Sequence, residues 1–322
     1  MAAVPNGSLY KYFSKSGFLR FLRGFTVRFT PPCAFNDPFE AVPTITELLS
    51  GESFIWDQLQ AALAISFGGK VGMFCLSEDP LNLLMWGHYC NAHQGVVVEF
   101  DVTNPFFSAR STASGLHQYL RKVEYREHRA TLPLEHFQKN KMGLLNDHGS
   151  GWLDLVRSEH PLMFTKSPDW SYEREWRLVR QLVDSRDSFR KKPKAARMFT
   201  GHHVDDDYAR DPAPASVELA QVPEDCVKAL YLGAKSTTYT GNMPTFEEEV
   251  WSLLSKRRIA NKILINKVRF DRERFGLLAF DLQDSEQVRA NVSELEFASR
   301  SNNFEGIPFR NGPPRPPQPT RR

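Results

Sequence analysis

The chain is poor in cysteine, in long apolar runs and in excess charge. Its 322 residues hold four cysteines, Cys33, Cys75, Cys90 and Cys226. None falls in a C-x-x-C spacing, and all sit in apolar contexts. That pattern argues against a disulfide-stapled secreted scaffold and predicts reduced thiols in a cytoplasmic protein. No apolar run is long enough to span a bilayer, so no membrane partner is expected. Met1 to Leu9 lacks a basic region followed by an apolar one, which predicts no signal peptide. The 41 basic and 38 acidic residues leave a net charge of +3, too near neutral to argue by itself for nucleic acid. There is no internal repeat. His88-x-Cys90-x-x-His93 has no second Cys/His cluster to complete a tetrahedral zinc site, since His202-His203 lies in a predicted loop. No metal is expected, and His93 is read as capping the turn that enters the next strand.

What is present suffices for one large core or two modest ones, with 41% of the residues hydrophobic. Strands are predicted at Leu9 to Phe13 and Gly24 to Thr30, with a short helix over Ser14 to Arg23. Pro31-Pro32 then stops regular structure. Ser53 to Phe67 has helical spacing, and Val71 to Ser77 reads as a buried strand. Asn82 to Tyr89 reads as a helix start or tight loop. Gly95 to Asp101 is the clearest strand, with its β-branched run. Helices are expected at Ala113 to Lys122, Pro133 to Asn146 and Trp152 to His160. A polar, charged stretch over 185–214 predicts a mobile surface loop. Ordered segments follow at Ser216 to Ala220, Val227 to Gly233 and a helix over Thr245 to Ala260. Lys262 to Phe270 and Leu277 to Leu282 read as closing strands. Strands and helices are interspersed, which favours an α+β fold over a doubly wound sheet. The expected organisation is a single domain over 1–298 and a disordered, Pro-rich tail over 299–322.

The most informative segment runs from Trp170 to Val179. As a strand it places Tyr172, Arg174 and Trp176 on one face and Glu173, Glu175 and Arg177 on the other. Two carboxylates so placed repel each other, and persist only if water, Arg177 or a ligand compensates. A plainer reading is that they pair with Arg174, Arg177 or Arg180 on an exposed strand. Asn36-Asp37-Pro38 is a good turn sequence in its own right. Trp86 and Tyr89 also fit a core, and Lys11 also fits a surface charge.

The motifs Leu9-Tyr10-Lys11-Tyr12, Phe35-Asn36-Asp37-Pro38-Phe39-Glu40, Leu84-Met85-Trp86-Gly87-His88-Tyr89 and Trp170-x-Tyr172-Glu173-x-Glu175-Trp176-Arg177 together resemble a bacterial family. It is catalogued as a domain of unknown function. More distantly, the order of elements resembles the ADP-ribosyltransferase fold, in particular its nucleic-acid-modifying toxins. Leu9-Tyr10-Lys11 stands at the opening strand, with Lys11 where His or Arg is usual. Val71 to Ser77 and Asp79-Pro80 to Trp86 resemble the next motif. Glu175 to Val179, Val222-Pro223 and Val227 to Leu232 resemble the closing one.

That resemblance implies a split, mixed or antiparallel sheet with surrounding helices, and transfer of ADP-ribose from NAD+ to a macromolecule. Glu175 would hold the ribose hydroxyl as charge develops, and Glu173 would orient or deprotonate the acceptor. Tyr12, Trp86 and Tyr89 would stack on nicotinamide. Asn36, Asp37 and Ser77 would bond the riboses, His88 and Arg177 would meet the phosphates, Arg177 with a bidentate fork, and Lys11 would complete the NAD+ contacts. The implied acceptor is nucleic acid, with protein as the alternative. The implied setting is a toxin or antiviral effector, with an antitoxin or chaperone among the candidate partners. Two other classes remain open. One is a metal-dependent nuclease using Asp37, Glu40, Glu99, Asp101, Glu173 and Glu175. The other is a binding module using Arg190 to Lys194 and Lys256-Arg257-Arg258.

Overall fold

The computed structural model describes residues 7–41, 71–108, 110–111, 117–131, 161–181, 218–236, 246–260 and 262–282. Apart from Leu282, all of these lie in one compact unit, Met1–Asp281. The helices expected at Ser53 to Phe67, Pro133 to Asn146 and Trp152 to His160, the 185–214 loop and the tail lie outside the described residues.

In chain order the elements begin with β1 (Ser8–Phe13), α1 (Lys15–Gly24), β2 (Thr26–Phe29), β3 (Val71–Ser77), α2 (Leu83–Tyr89) and β4 (Val96–Asp101). Next come β5 (Arg110–Ser111), β6 (His117–Lys122), β7 (Glu124–Tyr125), β8 (Thr165–Lys166) and β9 (Glu175–Gln181). The last are β10 (Glu218–Gln221), β11 (Val227–Leu232), α3 (Phe246–Lys256), β12 (Leu264–Phe270) and β13 (Leu277–Asp281).

Among the described residues, nine strands form one sheet in the order β13-β12-β11-β4-β1-β3-β9-β6-β5. Its pairs are antiparallel except β11 with β12. The fold is therefore a mixed α+β architecture with a large sheet and few helices.

Local sequence explains each helix. Ser14 caps α1, its Oγ accepting from the backbone N–H of Gly17 at 3.2 Å. Phe18, Phe21 and Leu22 then fall on one buried stripe. Phe25 ends the helix in the left-handed region at φ 46°. Asn82 caps α2, accepting from the backbone N–H of Met85 at 3.1 Å.

The sheet has two unlike faces. Phe29, Phe74, Phe100 and Phe21 pack in series, edge-on or tilted, on one of them, with centroids 5.9–6.1 Å apart. On the other, Met73, Cys75 and Ser77 stand opposite Val179, Arg177 and Glu175.

One seam positions the site. β1 pairs with β4 along its whole length, from Ser8 opposite Asp101 to Phe13 opposite Val96. It pairs with β3 only where Tyr10 meets Ser77. Beyond that pair the strands part, and β3 turns to Thr30, which it meets at Met73.

Two expectations are corrected. The helix expected over Ala113 to Lys122 does not hold in its described part, because His117–Lys122 forms strand β6. Its residues Gln118 to Lys122 pair with Arg180 to Trp176 of β9, and this pairing overrides local helix preference. Trp170 to Arg174 is not strand either. Ser167 accepts from the backbone N–H of Asp169, Pro168 opens the turn, and Pro168–Glu173 forms a 3-10 helix. Arg174 leaves it at φ 44°, and the strand begins at Glu175.

Candidate functional site

At the seam opens a cleft of about 850 Å³. Nine of the residues singled out in the sequence line it: Lys11, Tyr12, Asn36, Asp37, Ser77, His88, Tyr89, Glu173 and Glu175. They come from β1, the 34–41 loop, β3, α2 and the turn into β9, which only the folded chain brings together. Lys11 points to the face opposite Tyr10 and Tyr12, with its ammonium 5.3 Å from the centre of the Phe74 ring. It reaches the cleft because the strands separate there.

At the cleft floor is a chain of alternating charge. Lys166 donates to Glu173 Oε2 at 2.6 Å and to Glu175 Oε2 at 3.2 Å. Arg177 donates through Nε to Glu175 Oε1 at 2.9 Å and through a second nitrogen to Glu175 Oε2 at 3.1 Å. The same guanidinium grips both oxygens of Glu40, at 2.5 and 2.9 Å, and the carbonyl of Met163 at 2.8 Å. Glu173 takes a further hydrogen bond from the Tyr89 hydroxyl at 2.6 Å. The backbone N–H of Glu175 donates to Tyr125 Oη at 2.8 Å, which fixes the start of the strand. The Lys166 ammonium also lies 4.7 Å from the centre of the Trp170 ring.

Such a cluster is strongly polarised, because buried charges are screened little. Burial alone would raise the Glu175 carboxyl, but Arg177 and then Lys166 overcome it and hold the group well below the usual carboxylate range. Glu173 goes the other way. Burial first, then repulsion from Glu175, push it up, although Lys166 and Tyr89 resist. Burial likewise raises Glu40 against the pull of Arg177. Burial opposes the charge on Lys166, yet Glu175, Glu173 and Glu40 hold its ammonium above the usual range. Burial and the neighbouring Glu173 push the Tyr89 phenol up, so it remains a donor. The pair therefore divides into one firmly ionised carboxylate and one poised to take a proton.

Several expected roles are corrected. Arg177 is fully buried and spends its donors on Glu175, Glu40 and Met163, so it cannot meet a phosphate. Trp86 is a core residue, packed edge-on to Tyr12 and donating its indole N–H to the Pro80 carbonyl at 2.8 Å. It does not line the cleft. Ser77 lines it, but its hydroxyl donates to the Glu173 carbonyl at 2.7 Å and so holds the turn. Asp37 both lines the cleft and makes the turn, accepting from the backbone N–H of Phe39 at 2.9 Å. The Glu173/Glu175 pair sits in a buried network, not on an exposed strand face.

Glu99 does not join the acidic group. Its oxygens accept from Ser8 at 2.8 Å and Tyr231 at 3.0 Å. Arg177 and Lys166 occupy the oxygens of Glu175 and Glu173 that a hard cation would need. Cys90 points its thiol to the Val96 carbonyl inside the core, away from His88. Arg190 to Lys194 lies outside the described residues.

The NAD+ reading of the sequence did not assign Lys166 and Glu40 to this site, nor Tyr10, Arg28 and Tyr172 on the cleft wall. Lys166 carried a weak signal, as the nearest lysine before a glutamate pair, seven residues ahead of Glu173. Glu40 was marked as the last residue of the Phe35 to Glu40 motif, but its pairing with Arg177 carried no signal, because the two lie far apart along the chain.

One distorted segment borders the cleft. Asn91, Ala92 and His93 all have positive φ, at 48°, 51° and 69°. Three such residues in succession are costly, at about 1–2 kcal/mol each. Packing forces the turn: the His93 carbonyl accepts from the backbone N–H of Lys235 at 2.9 Å. Asn91 and Ala92 line the cleft wall.

Comparison with known proteins gives one finding. Residues 85–178 match the family described as a protein of unknown function (DUF2971). The match covers under a third of the chain, and takes in α2 from Met85 onward, Lys166, Glu173 and Glu175. No curated protein and no solved structure matches the chain. Among the described residues, no helix is long and apolar enough to cross a membrane.

Proposed function

We propose that the protein transfers ADP-ribose from NAD+ to a macromolecular acceptor, with nucleic acid as the preferred class. The observation that carries this reading is the Glu173–Lys166–Glu175 group at the floor of the seam cleft. The cleft volume lies within the ordinary range for small-molecule sites. One end presents carboxylates with Tyr89, Tyr172 and Trp170. Elsewhere the wall presents two cations, Lys11 and Arg28. This division suits a ligand with an aromatic, cationic head and an anionic pyrophosphate, and Lys11 and Arg28 replace Arg177 as the phosphate partners. NAD+ supplies an activated ADP-ribose, whose bond to nicotinamide breaks as positive charge grows on the ribose.

The chain's residues then have distinct tasks. Glu175, fixed by Arg177, offers a constant negative charge to the growing positive one. Glu173, raised by burial, accepts the proton that the acceptor loses. Lys166 holds both carboxylates in place. Tyr89 and Tyr172 offer aromatic surface for the nicotinamide. A toxin or antiviral setting accompanies this reading by resemblance.

The test uses radiolabelled NAD+, purified protein and a whole-cell lysate, followed by nuclease or protease digestion. Label that survives protease but not nuclease supports transfer to nucleic acid. Glu173→Gln should abolish transfer while NAD+ still binds. Unchanged transfer by that variant, or no labelling by the parent, would overturn the proposal.

A further inference from the structure

A second cavity of about 200 Å³ adjoins the cleft and shares Asp37 and Lys166 with it. Its apolar surface comes from Ala41, Ala130 and Leu162. At its rim stands Phe39, 55% exposed although it is a large aromatic. The turn at Asp37 presents this ring, through the bond from the Phe39 N–H to Asp37 Oδ1. The Arg129 guanidinium lies 5.4 Å from the ring centre. Arg126 flanks the same rim, paired with Glu124. Two guanidinium groups, Arg126 and Arg129, line it together with the acids Asp37 and Glu127.

An exposed aromatic ring, a guanidinium against it and an apolar floor are the parts of a base-stacking platform. We infer that this cavity is a nucleotide subsite for a single-stranded nucleic acid, with one base on Phe39 and its phosphates near Arg126 and Arg129. The shared Lys166 wall sets the neighbouring nucleotide beside Glu173. The inference deepens the reading proposed above by naming the form of the acceptor. Duplex is disfavoured because paired bases cannot offer a face to the Phe39 ring.

The experiment is fluorescence anisotropy of the full chain with a short, fluorescein-labelled single-stranded DNA, without NAD+. The parent protein should bind, and more weakly as salt rises. Phe39→Ala should weaken binding about tenfold or more, and Phe39→Tyr should restore it. Arg129→Ala should weaken binding and flatten the salt dependence. Thermal melting should be unchanged for Phe39→Ala, since the ring is exposed. No binding by the parent, equal binding by Phe39→Ala, or equal competition by duplex would each overturn the subsite. Failure of the transfer reading is separate: it appears as unchanged transfer of label by Glu173→Gln, whatever the oligonucleotide result.

Discussion

Replacing Lys166 with Met removes the ammonium between Glu173 and Glu175 and keeps most of the side-chain volume. In the parent it makes buried bonds of 2.6 and 3.2 Å to the two carboxylates. Breaking a buried ion pair by removing one partner costs about 3–5 kcal/mol. Here the damage divides unevenly. Glu175 retains Arg177 at 2.9 Å, so it remains paired. Glu173 retains only the neutral Tyr89 hydroxyl, so it escapes the buried charge by binding a proton. The expected loss at neutral pH is thus near the lower bound, about 3 kcal/mol. The loss should depend on pH in a definite sense. Glu173 already titrates above its ordinary value of 4.5, through burial and then Glu175. Without Lys166 it rises further, so the folded variant binds more protons than the unfolded chain above about pH 4.5. Stability of the variant should therefore fall as pH rises through that window, and its deficit should be smaller at pH 5 than at pH 7.5. Urea unfolding at both pH values, with the slopes compared, reads this directly. A deficit below about 1 kcal/mol, as for exposed pairs, would refute the reasoning. So would an equal deficit at both pH values.

Arg177→Lys cannot grip Glu40 and Glu175 together, so it should lose about 3–5 kcal/mol in chemical denaturation; a near-parental midpoint would show the network to be dispensable. Tyr89→Phe removes a hydrogen bond that holds the Glu173 carboxyl down, so the acid limb of the pH–transfer profile should move upward, while NAD+ affinity measured by calorimetry stays unchanged. An unmoved limb would remove Glu173 from the proton step. Gly95→Ala would place a Cβ 2.0 Å from the Phe13 carbonyl oxygen, and Gly233→Ala would place one 2.3 Å from that of His93. Both contacts are to backbone, so each variant should accumulate poorly or melt far below the parent. Gly276→Ala meets nothing within 4 Å and should melt like it. Below pH 4.5, protonation of Glu175 should progressively remove its stabilising pairing, because that carboxyl is held low by Arg177 and Lys166. Glu175→Gln should accordingly show a shallower loss of stability with acid than the parent.

Local features of the sequence were sufficient for most described elements. The β-branched run of Gly95 to Asp101 reads as strand from its own composition, and its Val96, Val97 and Val98 are fully buried. The stripe of Phe18, Phe21 and Leu22, behind the Ser14 cap, reads as helix for the same reason. Where neighbours in space decided, local reading failed. His117–Lys122 is strand because Arg180 to Trp176 lies alongside it. Trp170 to Glu173 alternates like a strand, yet the Ser167 cap and Pro168 close it into a turn.

The candidate site divides along the same line. The sequence by itself determined that Glu173, Glu175 and Arg177 form one charged group, because covalent spacing keeps them close in either backbone conformation. It also marked the aromatic and polar motifs that converge on the cleft, since such residues are conspicuous wherever they stand. Only the tertiary structure decided which member is buried and which faces the cleft. Arg177 turned inward because Glu40, remote in sequence, meets it with both oxygens. Lys166 joined the site because the turn at Arg174 folds Glu173 back onto it. The cleft exists because β1 leaves β3 after a single pair, Tyr10 with Ser77. Strand pairing is a relation between distant segments, and no local pattern in either strand encodes where it ends.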